Sequence, residues 1–456
     1  MQLCRRKIGM SNAFKISKKM LCQYILIYIM LLFNQSNFFA FYIDGSQGIQ
    51  LILILLFSAA LLLRHRRKAQ YGFYVCLFML LAVTFERFWS GGVGIAFWCE
   101  IALKVLIVYL AFCVDEEHFL DRFLKLVSIL ASISILLWGL QILNINLPTR
   151  LFTVHDTRNI HVEYDYQGNR SAWNYKCYGL FLYSYLTYYP NRNVGIFTEP
   201  GIYQAVLNSA LFVLLFMNEW LHLDVSKRKK YVILFSVALI TTQSTSGYLG
   251  FLATLLVLLL SRNEDNSINW KRMAVSLSLA VLIGLGIDLA IRGEDSLLSV
   301  AFISKLFDNS NRLSLVAENS TGKYRMASLL MSLQAMLNHP LGLGYDGWIS
   351  YSSINALSGA GGYPLKLGAV LGIIPLLYLM IWIFSPLKNL RKGWKVSLLF
   401  VFLYFNTSLA QTSAVYPVLI MIPIILKGLD RDRVIEMRGY HIGRMKKKYG
   451  SGCLES

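Results

Sequence analysis

The residues of this chain best suited to chemistry gather in Arg192–Gln204, RNVGIFTEPGIYQ. The segment joins a long polar stretch to an apolar one and carries a fixed cation, a carboxylate, two glycines and a proline. The Arg192 guanidinium stays charged at any relevant pH and can bind phosphate oxygens two at a time. Glu199 could take a proton from a hydroxyl, or it could serve only as an acid at the positive end of the helix it opens. Downstream, Arg312, Arg325 and His339 add two more cations and a titratable ring. Together they suit the binding of a phosphate or diphosphate. No P-loop, HExxH or GxSxG pattern occurs, and the segments expected to face outside carry no DxD-like acidic pair. The seven cysteines form no CxxC pair and no spacing suited to a metal. Neither a metal nor another cofactor is expected.

The elements that must position these groups belong to a membrane protein. The chain has 456 residues, 56% of them hydrophobic and 15% charged, and its mean hydropathy is +0.51. That is far too apolar for a soluble domain of this length. The net charge of +19 is explained by topology, because most of the basic residues sit in short segments that alternate with less basic ones. These include Arg64–Lys68, Lys227–Lys230 and Lys388–Lys395. Alternation of this kind marks cytoplasmic loops under the positive-inside rule. No basic segment is long enough, or interleaved with aromatics, to bind nucleic acid.

A span needs roughly 20 apolar residues, and on that rule the chain reads as an all-α polytopic bundle of about twelve transmembrane helices. Both termini are then cytoplasmic. The basic N-terminus followed by the apolar run from Leu21 reads as an uncleaved first helix. The expected spans lie at 21–42, 48–63, 70–86, 93–114, 123–143, 201–222, 231–243, 246–261, 273–291, 364–384, 396–410 and 413–427. The short pair around TTQSTSG allows a re-entrant hairpin or a broken helix. Glu100 and Lys104 stand four residues apart inside one span, and mutual pairing accounts for them more simply than a transport path.

The chain is treated as one polytopic domain with two large outside loops, 144–200 and 292–363. The first is rich in tyrosine, which suits sugar rings, though a membrane interface is the preferred reading of such a cluster. The second contains an amphipathic helix from Lys323 to Asn338, with Met326, Leu329, Leu330, Leu333, Met336 and Leu337 at helical spacing. Pro340 ends it, and Leu341–Tyr345 (LGLGY) turns the chain. Arg325 and His339 are 14 residues apart, hence about 21 Å along the axis. They could touch different ends of one long substrate.

Taken in order, RNVGIFTEPGIYQ, TTQSTSGYLGFL and YRMASLLMSLQAMLNHPLGLGYDGW resemble the O-antigen and capsule polysaccharide polymerases, which share a fold with the O-antigen ligases. The resemblance covers roughly residues 190–375. It implies a metal-independent glycosyltransferase at the outer face of the cytoplasmic membrane. Such an enzyme moves a growing glycan from a polyprenyl diphosphate carrier to a lipid-linked repeat unit. By this resemblance Arg192 and Arg325 hold the diphosphate leaving group, and Gly342 and Gly344 let the backbone bend close to substrate or another helix; Arg312, by its charge, and Tyr345 are further substrate-binding candidates. Glu199 and His339 are the proton-handling candidates. Membrane lipid and a chain-length regulator are the implied partners. Two departures favour polymerase over ligase. The ligases carry a histidine after the turn, whereas Trp348–Pro364 has none; the arginine often found in the short-span motif is Thr245. A flippase for the lipid-linked unit is the alternative from another class.

Overall fold

The computed structural model of the protein describes residues 17–64, 69–90, 94–143, 147–164, 170–260, 275, 321–354, 363–390, 393–411, 413 and 415–428. Its elements are α1 (Lys18–Leu32), α2 (Asn37–Tyr42), α3 (Gln47–Arg64), α4 (Ala69–Ser90), α5 (Ile95–Val114), α6 (Phe119–Ile142) and α7 (Leu147–Leu151). Strands β1 (Val154–Tyr164), β2 (Arg170–Tyr178) and β3 (Tyr185–Leu186) follow. Then come α8 (Pro200–Phe216), α9 (Val225–Thr241), α10 (Thr245–Leu260), α11 (Thr321–Asn338), α12 (Gly344–Ile354), α13 (Tyr363–Leu371), α14 (Ile373–Phe384), α15 (Trp394–Ala410) and α16 (Pro417–Gly428).

The centre is α8, in which every residue is buried. Its apolar sequence packs on α6, α9, α10, α15 and α16. Its polar stripe is hydrogen-bonded in part within the bundle: Asn208 Nδ2 donates to Gln204 Oε1 (2.7 Å) and to the Gly247 carbonyl (3.3 Å). Gly247 and Gly250 of α10 face this stripe, and a Cβ on either would lie within 3 Å of Gln204 or Asn208. Small residues here let the two backbones approach. That accounts for TSGYLG and makes α9 and α10 an ordinary helix pair, joined where Gln243 takes φ +50°.

The expected twelve spans are only partly matched. Among the described residues, α5 and α6 are long and apolar enough to cross a membrane, and seven further apolar stretches, among them α8, α10 and α15, are shorter. The expected span 21–42 is two helices, because the chain breaks at Phe33–Ser36 with Gln35 at φ +58°. The span 364–384 breaks at Gly372, φ +93°. The span 201–222 ends at Phe216 and continues as a 3-10 turn, Asn218–Trp220. The span 273–291 lies almost wholly outside the described residues, as do Arg312 and most of the second loop.

An all-α fold is also corrected, since the first loop carries a three-stranded antiparallel sheet in the order β1-β2-β3. Val154 pairs with Tyr178 and Tyr164 with Arg170, with a bulge between Thr157 and His161; β3 adds Leu186 opposite Cys177. Val, Ile, Thr, Tyr and Trp are the residues that favour a pleated surface. The tyrosines of this loop are therefore largely strand residues. The expected helix is present as α11, but its buried face is Met331, Ser332, Ala335 and Met336, whereas Leu330 and Leu337 are exposed.

The helix ends sort the polar contacts into two groups. At one end Asp115 pairs with Lys19 (3.3 Å) and Arg122 (2.7 Å), while Asp121 accepts the His222 N–H (3.1 Å). The basic segments Lys18–Lys19, Arg122–Lys125 and Lys227–Lys230 all begin helices at this end. The 192–199 loop meets the other ends of the same helices. A 20-residue α5 separates the two by about 30 Å, the thickness of a bilayer core.

Burial alone would raise the Asp115 carboxyl, but the Arg122 and Lys19 cations outweigh it and hold the group below its usual range. The unfolded chain thus binds the proton more readily. The pair's stabilisation, about 1–2 kcal/mol, is complete above the ordinary Asp value near 4 and is lost as pH falls through the lower folded value. Melting curves of wild type and Asp115→Asn in detergent should therefore differ at pH 6 and converge toward pH 3.

Candidate functional site

The Arg192 loop is fixed by its main chain. The Asn191 carbonyl accepts from Trp138 Nε1 and Gln243 Nε2, each at 3.0 Å, and the Pro190 carbonyl accepts from Gln141 Nε2. These donors come from the end of α6 and the α9–α10 corner. Buried Asn193 donates its Nδ2 to Thr241 Oγ1 (2.9 Å) and Ser134 Oγ (3.2 Å), and its N–H to the Thr241 carbonyl (3.0 Å). Gly195, at φ +59°, lies under the Tyr203 ring, where a Cβ would approach to 3.3 Å. Such fixed surroundings leave Arg192 half-buried with its guanidinium 5.7 Å from the Tyr189 ring centre. Among the described residues it has no ion-pair partner, so its charge is available to an anion.

Glu199 is the N-cap residue of α8, in extended backbone conformation, with Pro200 in the first turn. Its carboxylate makes no capping hydrogen bond. The neighbouring Thr198 donates its N–H (3.2 Å) and its hydroxyl (3.3 Å) to the Gln35 carbonyl at the α1–α2 break.

The second group is built on another wall. Arg325 lies in the first half of α11. His339 follows the last residue of that helix and is exposed; its N–H donates to the Ala335 carbonyl, and its own carbonyl accepts from Gly342, both at 2.9 Å. Gly342 has φ +92°, and a Cβ there would meet the Val370 carbonyl at 2.5 Å. Leu343 donates to the Ala369 carbonyl (2.8 Å) and Ile373 to that of Pro340 (2.9 Å). Gly342 thus lets the turn cross the α13–α14 break backbone to backbone. Gly344, φ +72°, opens α12. Tyr345 then lies over Gly94, and its ring is 5.5 Å from that of Phe97 on α5.

Both groups lead to α5: the Tyr345 turn meets its first turn at Phe97, and a hydrogen-bond relay links the Arg192 loop to Lys104 in its third turn, within the ion pair expected from sequence. Lys104 is fully buried; its ammonium donates to Glu100 Oε1 and to Ser413 Oγ (3.2 Å) and sits 5.7 and 5.8 Å from the rings of Phe39 and Tyr416. The Tyr416 hydroxyl accepts the Ser413 N–H (3.1 Å) and donates to Gln35 Oε1 (3.3 Å). A continuous polar chain therefore runs from Glu100 through Lys104, Ser413, Tyr416 and Gln35 to Thr198. On the other side Lys366 of α13, 5.9 Å from the Trp348 ring, lies within electrostatic range of Glu100. Asp44, after α2, also feels this pair. Its carboxyl is pushed up by the protein packed around it and by Glu100, while Lys104 pulls the other way. The signal in the sequence was the presence of charge in an apolar helix, which costs about 2.5–3.5 kcal/mol on insertion scales.

An apolar cavity of about 360 Å³ lies beside α5, bordered by α4, α14 and α16 and lined in part by Phe78, Trp98, Val105, Tyr109, Tyr378 and Trp382. Among the described residues, no group of three or more His, Cys, Asp or Glu could hold a metal ion.

No curated protein and no solved structure matches the chain. The family model described as O-antigen ligase matches residues 231–364, from α9 through α12 to the start of α13, and so supports the O-antigen ligase and polymerase proteins in general as the group this chain is similar to.

Proposed function

We propose that the protein is a polysaccharide polymerase of the cytoplasmic membrane. It transfers a growing glycan from a polyprenyl diphosphate carrier to a lipid-linked repeat unit at the outer face. The observation that carries this reading is that the Arg192 loop, through the polar chain to Lys104, and the Tyr345 turn, through Phe97, both connect to α5; the second lies in the region similar to the O-antigen ligases. Arg192 and Arg325, with Arg312, hold the diphosphate and offset the charge that grows on it as the glycosidic bond breaks. The aromatic cavity beside α5 suits the carrier's isoprenoid chain. Both termini are cytoplasmic, and a chain-length regulator is a partner of the assembled system. The loops offer two proton acceptors, Glu199 and His339, and the α5 cluster adds the carboxylate of Glu100.

The family match supports a ligase as well as it supports a polymerase. Polymerase is preferred because no histidine follows the turn in Trp348–Pro364 and because Thr245 stands where an arginine is often found. The test uses purified protein in vesicles with the cell's own lipid-linked repeat unit. A ladder of glycans on a gel is the expected product. A single transfer to an acceptor outside the polymer would identify a ligase, and movement of an unchanged unit across the bilayer would identify a transporter.

A further inference from the structure

We infer that Glu100 is the catalytic carboxylate that takes the proton from the acceptor sugar's hydroxyl, an assignment that rests on the transfer reading above. The ion pair is lopsided. The Lys104 side chain has no exposed surface, whereas that of Glu100 retains 20%. Lys104 spends its hydrogen bonds on Glu100 Oε1 and Ser413 inside the bundle. What the pair presents to an incoming molecule is therefore a carboxylate, with one oxygen held by the ammonium and 20% of its side chain still exposed.

The surroundings of that carboxylate suit a sugar. Phe97 precedes Glu100 by nearly one turn of α5 and meets the Tyr345 ring at an interplanar tilt of 31°, while the Trp348 ring lies beside Lys366. Rings offer a face to the C–H side of a pyranose, and Glu100 and Asp44 offer acceptors to its hydroxyls. The polar chain through Ser413, Tyr416 and Gln35 ends at Thr198, six residues from Arg192. The Arg192 loop and the carboxylate are thereby joined by one hydrogen-bonded chain. Glu199 and His339 are less well placed. Glu199 caps the start of α8 beside the Gln35 break, and His339 is exposed just past the last residue of α11.

In the step itself, the acceptor hydroxyl oxygen bonds to the anomeric carbon as the bond from that carbon to the diphosphate oxygen breaks. The electron pair of the broken bond leaves with the carrier diphosphate. The hydroxyl proton passes to Glu100, which becomes a neutral carboxyl. Lys366 and Asp44 are the other charged groups facing it, with Lys104 behind.

The test compares wild type, Glu100→Gln and the double variant Glu100→Gln/Lys104→Met in the vesicle assay, with the melting temperature and retention of the lipid-linked donor measured in parallel. Wild type is expected to build a ladder. Glu100→Gln should retain the donor yet extend it about 10²–10⁴-fold more slowly, the usual worth of a positioned base. The double variant, which buries no unpaired charge, should recover the melting temperature and stay slow. That recovery keeps the test decisive if Glu100→Gln alone does not fold. Extension within about three-fold of wild type by a folded Glu100→Gln or double variant would make Glu100 a counter-ion and overturn the assignment, leaving the transfer reading intact. A wild type that builds no ladder and makes no single transfer would overturn both.

Discussion

Arg192→Ala is expected to lower the rate of glycan extension by about 10²–10³-fold while leaving the protein's stability within about 1 kcal/mol of wild type. The two halves of this expectation rest on different observations. The loop is positioned by its carbonyls and by Asn193, whose bonds to Trp138, Gln243 and Thr241 do not involve the guanidinium. What the guanidinium touches is the Tyr189 ring, a cation–π contact worth about 0.5–1 kcal/mol at an exposed site. Truncating Arg192 should therefore leave the loop in place and remove only a charge aimed at an anion. Charge builds on the leaving diphosphate as the transition state is reached, so the loss should fall on kcat more than on KM. Arg192→Lys preserves the charge without the planar fork, and an intermediate rate is expected. The measurement is ladder formation against time at saturating donor, with melting curves in the same detergent. A variant that is folded and as fast as wild type would remove Arg192 from the site.

What could be read from sequence alone, and what could not, divides along the range of the interactions involved. The amphipathic helix was expected at 323–338 and is observed as Thr321–Asn338, because a repeat of three and four residues is a local property. The glycines of LGLGY were expected at a close backbone approach, and Gly342 makes one with the α13–α14 break. The break of the first span was hidden. Asn34, Gln35, Ser36 and Asn37 interrupt an apolar run by only four residues, and what stabilises the break is a bridge from Ser36 to Phe197 far along the chain. The hairpin was hidden differently: its tyrosines served a membrane-interface reading as well as a strand. Lys104 shows the limit most clearly. Its partner Glu100, four residues away, was legible, but Ser413, 309 residues on, was not. Without that contact the pair looked complete in itself, and its link to the Arg192 loop had no trace in the sequence.

The two halves of this pair should differ in what their removal costs. Breaking a buried ion pair by deleting one partner typically destabilises by about 3–5 kcal/mol, most of it the penalty for the charge left behind. Lys104→Met leaves Glu100, whose side chain is 20% exposed and has Lys366 within range, so its cost should lie near the lower end, about 3 kcal/mol. Glu100→Gln leaves Lys104, whose side chain is completely buried among Phe39, Tyr416 and Ser413, and its cost should approach about 5 kcal/mol. Glutamine can still accept a hydrogen bond from the ammonium, but it cannot neutralise it. The double variant Glu100→Gln/Lys104→Met removes both charges and should be more stable than either single one, with a coupling of at least about 1 kcal/mol. Unfolding midpoints in a detergent series would give the order wild type, double variant, Lys104→Met, Glu100→Gln. Equal losses for the two single variants would mean that both charges meet the same surroundings, and the carboxylate would then not be the open side of the pair. That order is a statement about solvation alone, so it holds whether or not the cluster takes part in glycan transfer.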